Sequence, residues 1–439
     1  MSSSSSSSSW LEVAAESPFS LDNVPFGIVS HGDQTQGAAH AATRLGDSVV
    51  DLQKLAGAGL LDEALGSDRS SLNQTTLNAF AALPQQVRAA VRGSIQRLFS
   101  SPVGENRIRQ HFSSLEDLVY PSTTVTMHLP MAVPDFIDFS VYPAHGLGAG
   151  RAIFGPVTPL PPSFSRLPMA YHGRAGTVSV REEIVRPQGQ KRAFSAERTV
   201  SIGPCEALDW EFEIGAFVSR PTEDGTYLTP ESARSHIFGY VLLNDWSARD
   251  VQGLEMVPLG PFNGKSFATT ISPWVVVPEA LEPFAAARPT ALNGVEAEVP
   301  DYLREAEGAK TNYDLECKTS LAVASNPSVA HHLSTARFAD AFWSFPQLLA
   351  YQTFNGSRIQ TGDLLGSGTI SSEGPHGQGC MLEKSQGGKV PVLVGGEERR
   401  WIEDGDEVVF EACAGPPGRK VGFGALRGKV LSAAHLRKL

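Results

Sequence analysis

Between Leu208 and Ile214 acidic and apolar side chains alternate, with Asp209, Glu211 and Glu213 interleaved among Trp210, Phe212 and Ile214. Successive side chains of a strand point to opposite faces, so this pattern predicts a strand with three carboxylates on one face and an apolar face turned into a core. The acidic face then meets either solvent or a cation that offsets the repulsion. Phe238 to Leu243 reads as a strand buried on both faces, and it delivers Asn244, Asp245 and Trp246 at its end. Arg249 and Gln252 follow Asp245 by four and seven positions, the spacing of one face of a short helix or turn. Lys265 and Thr269 are likewise four apart, in an apolar, Gly-flanked context that favours burial of the lysine.

Elsewhere the apolar period lengthens or shortens with the predicted element. Phe26–Val29 reads as a strand, and Arg44–Leu52 as a strand pair turning at Gly46-Asp47. Val87, Val91, Ile95, Leu98 and Phe99 recur at helical spacing between Pro84 and Pro102, which predicts an amphipathic helix packed on one side. Tyr313, Leu315 and Cys317 alternate with Asp314, Glu316 and Lys318, a half-buried strand. A helix follows, capped by Ser344, with Pro346 in its first turn and Asn355-Gly356 as its stop. Gly362 to Thr369 is a Gly-rich strand end where backbone can approach a ligand, and Val408–Phe410 and Gly422–Gly424 close a sheet. Arg181–Thr199 mixes charge, Gly and Pro and reads as a surface excursion. Gly146–Gly150 reads as a Gly-rich loop, and it lacks the strand, helix and distal acid of a dinucleotide fingerprint.

A chain of 439 residues exceeds the usual span of one core, which predicts two domains. Its 41% hydrophobic and 19% charged residues are those of a globular protein. The net charge of −11 argues against nucleic acid or an anionic membrane as the main partner. Cys205, Cys317, Cys380 and Cys413 form no CxxC pair, against a zinc ribbon or dithiol motif, and free cytosolic thiols are expected. The serine run from Ser2 to Ser9 has neither the basic nor the apolar region of a signal peptide, and residues 1–16 are read as a disordered tail. The terminal Arg437-Lys438-Leu439 carries Arg where the peroxisomal Ser-Lys-Leu address has a small residue, so a cytoplasmic protein is expected. Carboxylates without a neighbouring His or Cys pair suit Mg²⁺ or Ca²⁺ better than zinc. Single histidines such as His128 and His145 are more often structural than catalytic on local context alone.

The strings Asp209–Glu213, Asn244–Asp250, Val257–Phe262 and Gly264–Thr270 resemble the fumarylacetoacetase family. The similarity continues upstream through Thr126–Pro130, Asp138-Phe139 and Tyr171–Ala175, and downstream through Gly362–Leu365, Gly368–Ile370 and Met381–Glu383. The resemblance implies an α+β, β-rich chain: an SH3-like N-terminal domain over residues 17–122, then a mixed or antiparallel β-roll (sandwich-like) catalytic domain over 123–439, in a homodimer. It implies Mg²⁺ or Ca²⁺ held by Asp138, Glu211, Glu213 and Asp245, with Lys265 and Thr269 beside the cation. It implies His145 as general base oriented by Glu383, with Arg249, Gln252 and Lys265 stabilising oxyanion and enolate, and Tyr171 and Thr369 touching substrate. The expected reaction is hydrolysis of a carbon–carbon bond in a small 1,3-diketo acid, with fumarylacetoacetate favoured. A family member acting on another 1,3-diketone or an acylpyruvate, and a non-catalytic metal-binding scaffold, remain alternatives. At three positions where the family carries substrate-contacting Tyr, Arg and Tyr, this chain has Ser140, Phe154 and Met256. Tyr142 and Arg151 lie near two of these positions and could replace them through a loop shift.

Overall fold

The computed structural model describes residues 9–32, 39–194, 197–292 and 295–438. Strands β1 (Phe26–His31), β2 (His40–Leu45) and β3 (Ser48–Asp51) stand where the apolar runs predict them, and Gly46, at φ 58°, makes the β2–β3 turn. Helix α1 (Gln85–Phe99) buries Val91, Ile95, Leu98 and Phe99 as its period predicts. Pro102 does more than end it, since it also opens α2 (Pro102–His111), whose N-cap Ser101 accepts from the Gly104 amide. With β4 (Val119–Pro121) and β5 (Val125–His128) the sheet has the order β4-β3-β2-β1-β5, antiparallel throughout. It therefore runs past residue 122.

Residues 1–8 of the expected tail lie outside the described residues, and Trp10 and Leu11 just after them are packed rather than disordered. Leu11 is buried, and Trp10 stacks on Phe99 at 5.2 Å while its Nε1 donates to the Leu98 carbonyl at 2.9 Å. Two large apolar side chains directly after the serine run supply the burial that serines cannot.

The second part begins with β6 (Phe136–Ser140) and α3 (Pro143–Phe154). The Gly-rich segment 146–150 is thus helical, which corrects the loop reading. Proline at N1 and Gly155 at φ 115° just past the end are its start and stop signals. Three internal glycines, each costing about 1 kcal/mol against alanine, conceal the helix from propensity. Strands β7 (Met169–His172), β8 (Val178–Ser179) and β9 (Glu183–Val185) follow, then the antiparallel hairpin β10 (Gln188–Arg192) and β11 (Val200–Pro204). These last strands replace the expected excursion over 181–199. The acidic stretch is two strands rather than one, β12 (Leu208–Asp209) and β13 (Phe212–Val218), which pair with different partners. After them come β14 (Ile237–Asp245), β15 (Ser247–Ala248), α4 (Arg249–Glu255) and β16 (Thr269–Ile271).

The half-buried strand predicted around Tyr313 keeps its alternating burial but breaks at Asp314-Leu315 into β17 (Lys310–Tyr313) and β18 (Glu316–Ala322). Beyond β19 (Ala330–Arg337), α5 (Phe345–Thr353) carries the predicted Ser344 cap, reciprocated by Gln347. The remaining elements used below are β20 (Leu364–Gly366), α6 (Met381–Lys384), β21 (Glu407–Ala414) and β22 (Val421–Leu431). They assemble a seven-stranded mixed sheet, β7-β6-β20-β13-β14-β16-β8, and a five-stranded sheet, β19-β18-β21-β22-β9. Phe212 of the first stacks on Phe410 of the second at 4.3 Å. The fold is α+β and β-rich, with Phe26, Phe80 and Phe238 joining the N-terminal sheet to the larger one through ring contacts of 4.9 and 6.1 Å.

Candidate metal centre and active site

Strands β6, β13 and β14 of the seven-stranded sheet bring the acidic residues together. Asp138 lies on β6, Glu213 on β13, Asp245 at the end of β14 and Glu211 in the break before β13. One oxygen from each falls within 4.8 Å of the others, and all four residues are buried. Gly366 of β20 sits between β6 and β13, and a Cβ there would stand 2.6 Å from both Asp138 Oδ1 and Glu213 Oε2. Only a bare backbone lets these carboxylates converge. The Gly368 amide donates to Glu213 Oε2 at 3.0 Å.

Two basic groups serve this cluster. Lys265 Nζ lies 2.6 Å from Glu211 Oε2 and 2.5 Å from Asp245 Oδ2, and the Tyr171 hydroxyl donates to the same Asp245 oxygen at 2.5 Å. Arg249 NH1 lies 2.7 Å from Glu211 Oε1, while its Nε and NH2 each reach Asp209 Oδ2 at 2.9 Å. Burial alone would raise Glu211, but Lys265 and Arg249 override it and hold the carboxyl below its usual range. Asp138 and Glu213 are pushed well up, first by burial and then by the neighbouring carboxylates. Burial would depress Lys265, yet Asp245 and Glu211 keep it above the ordinary lysine value.

This imbalance tests whether a cation fits. Five buried carboxylates, those of Asp138, Asp209, Glu211, Glu213 and Asp245, face the two bases Arg249 and Lys265. Asp138 Oδ1, Glu213 Oε1 and Asp245 Oδ1 are buried without a hydrogen-bond partner. Orphaned oxygens in a region of excess negative charge are the donor set of a hard divalent cation. Thr269, on β16, stands in register with Asp245.

His145 occupies the first turn of α3, with Nδ1 3.2 Å from Glu383 Oε2 on α6. Glu383 Oε2 also receives Ser371 Oγ at 2.8 Å, the Gly379 amide at 3.2 Å and the Cys380 thiol at 3.4 Å. Burial and the adjacent Glu383 push the Cys380 thiol well up, so it stays a protonated donor. A Cβ on Gly148 would meet Glu383 Oε1 at 2.4 Å, and the glycines of α3 are what let the helix lie against this carboxylate.

The other sequence-derived residues divide by placement. Gln252, one turn into α4, accepts from Arg249 NH1 at 3.2 Å, and Thr369 is buried with its hydroxyl unpartnered. Ser140 ends β6 opposite Met169, whereas Phe154 and Met256 are 79% and 47% exposed at the ends of α3 and α4. Tyr142 is fully buried and donates to the Phe338 carbonyl at 3.2 Å, so it is committed to the core and does not replace a lost phenol. Arg151 is exposed on α3. His128 Nε2 lies 2.8 Å from Ser30 Oγ. Asp209 departs from the acidic face read from the sequence, because its oxygens face Arg249 and the first amides of α6. Ser371, Gly148 and Gly366 carry no local sequence signal beyond residue size.

A buried cluster of hard oxygen donors beside a histidine–glutamate pair defines a candidate divalent-cation centre coupled to an acid–base group. The chain belongs to the fumarylacetoacetase family: residues 22–130 match the family model described as fumarylacetoacetase N-terminal, and residues 145–431 match fumarylacetoacetate (FAA) hydrolase C-terminal. It is 41% identical to the fumarylacetoacetase of Emericella nidulans over 98% of this chain and 99% of the relative. A relative of the same name from Aspergillus fumigatus is 41% identical with the same coverage of both chains. The Arabidopsis thaliana fumarylacetoacetase is 35% identical over 96% of this chain and 98% of the relative.

Proposed function

We propose that this chain is a hydrolase that cleaves the carbon–carbon bond of fumarylacetoacetate to fumarate and acetoacetate, the last step of tyrosine and phenylalanine breakdown. The observation that carries the reading is the His145–Glu383 pair set beside the four-carboxylate cluster, in a chain so similar to fumarylacetoacetases along its whole length. His145 Nδ1 faces Glu383, which leaves Nε2 to take a proton from water. The hydroxide adds to a carbonyl carbon, the carbon–carbon bond breaks, and its electron pair leaves on an enolate. The proton held by His145 then returns to that carbon. Lys265 and Arg249, fixed by their carboxylates, and Gln252 favour the developing negative charge. Asp138, Glu211, Glu213 and Asp245 would hold Mg²⁺ or Ca²⁺, with Lys265 and Thr269 alongside, and the cation would supply positive charge for the negative charge that develops on the substrate. Tyr171 and Thr369 contact substrate, and Ser140, Phe154 and Met256 stand at positions where the family contacts it. Arg151 takes the substrate's terminal carboxylate in place of the arginine that Phe154 lacks. The protein works as a cytoplasmic homodimer in which an SH3-like N-terminal domain, extended through β5, precedes the catalytic domain.

Acetoacetate release from fumarylacetoacetate, with and without EDTA, tests this directly. His145→Ala is expected to cut turnover by at least ~10², the usual scale of general-base catalysis, with secondary structure retained. Arg151→Ala should collapse the preference for fumarylacetoacetate over a neutral 1,3-diketone. A wild-type enzyme indifferent to the acid would instead favour a family member acting on a less acidic diketone.

A further inference from the structure

Asp209 is wholly buried, and its two oxygens receive four hydrogen-bond donors. Oδ1 accepts from the Met381 amide at 2.6 Å and the Trp210 amide at 2.9 Å. Oδ2 accepts from the Leu382 amide and from Arg249 Nε, each at 2.9 Å, with Arg249 NH2 as an ion-pair neighbour at 2.9 Å. Each side leads directly into the site. Arg249 continues to Glu211 Oε1 at 2.7 Å, inside the carboxylate cluster. On the other side α6, whose first two amides Asp209 grips, carries Glu383 one residue later, and Glu383 faces His145 at 3.2 Å.

We infer that Asp209 is a positioning residue that couples the carboxylate cluster to the His145–Glu383 pair. It takes the Nε donor of Arg249 and pairs with its charge, so that the guanidinium cannot swing fully onto Glu211 and compete with a cation for that carboxylate. With the same charge it anchors the four-residue α6, too short to hold its own geometry, in the position that sets Glu383 against the imidazole. Asp209 touches no reacting atom in this scheme; it acts through Arg249 and Glu383. The inference rests on the proposed reaction for its kinetic half only.

The test is Asp209→Asn, which keeps the shape and one acceptor but removes the charge. Mg²⁺ titrated calorimetrically into the metal-stripped enzyme without substrate is expected to bind at least about 5-fold more weakly than to wild type. The kcat on fumarylacetoacetate is expected to fall at least about 10-fold, with KM within about 3-fold. In a Glu383→Gln background the same substitution should cost less than about 3-fold in kcat, because the residue through which it acts is already disabled. Unchanged Mg²⁺ affinity, or a kcat loss of equal size in both backgrounds, overturns the proposal. Should the asparagine variant not fold by circular dichroism, Asp209→Glu is read in its place, and additive losses with Glu383→Gln overturn it equally. A wild-type enzyme that releases no acetoacetate sinks the proposed reaction instead, and leaves the Mg²⁺ comparison readable.

Discussion

Asp245 Oδ2 is crowded by the Lys265 ammonium and the Tyr171 hydroxyl, each at 2.5 Å, while Oδ1 is bare. Removing this carboxylate takes one ligand from the cluster and frees a buried lysine. Asp245→Ala is therefore expected to abolish turnover and to lose most of the Mg²⁺-dependent rise in Tm, since a ligand stabilises only the state that binds it. Melting curves in Mg²⁺ and in EDTA decide the point, and an undiminished Mg²⁺ shift would remove Asp245 from the centre. Asp363 makes a second case at this scale. Its carboxyl is raised to about 6, first by burial, against which the Gln360 amide gives partial relief. The folded value lies above the unfolded one, so stability contributed by the protonated form is present below pH 4 and lost as pH rises through 6. Asp363→Asn should accordingly be more stable than wild type at pH 7.5, by about 2 kcal/mol once solvent screening is allowed for, and show no gain at pH 4 in chemical denaturation. Asp209 shows where residue-scale reading stops. Alternation revealed that Asp209, Glu211 and Glu213 were placed for a reason, but not that Asp209 would bond amides 172 and 173 positions away.

Helix α3 was hidden by its own composition. Gly146, Gly148 and Gly150 weaken it locally, yet they allow it to lie against Leu160, Glu383 and Thr158. Gly148→Ala separates the two effects. Helix propensity predicts a gain of up to about 1 kcal/mol, while the new Cβ must push Glu383 away from its place. Expected is at least a 10-fold loss of kcat, on the order of general-base effects, with Mg²⁺ affinity unchanged. Calorimetry and steady-state kinetics check both, and wild-type turnover would show that Glu383 has slack. The elements that were legible, α1, α5, β1 and β14, bury a periodic or continuous apolar set. The hairpin β10–β11 turns Val200 and Ile202 to solvent and buries Lys191, so its pattern runs against the rule by which strands are read.

At the scale of the molecule, the change of character near residue 124 was legible in the sequence, but the pairing across it was not. β5 follows that change and still pairs with β1, and Phe26 exchanges hydrogen bonds with Val275. Such contacts depend on segments far apart in the chain and leave no periodic trace. The most distant of them join the two ends. Phe19 bridges Val421, Ser20 Oγ donates to the Lys420 carbonyl at 2.7 Å, Asn23 Nδ2 donates to the Gly422 carbonyl at 2.7 Å, and the Gly418 amide reaches Ala15 at 2.6 Å. For a chain made from its N-terminus onward, this seam is a matter of timing. Residues 15–23 leave the ribosome long before residues 418–422 are translated, and must be kept from other apolar partners until then. In ribosome-bound chains lengthened stepwise, Phe19 is expected to stay open to chymotrypsin until Val421 has cleared the exit tunnel.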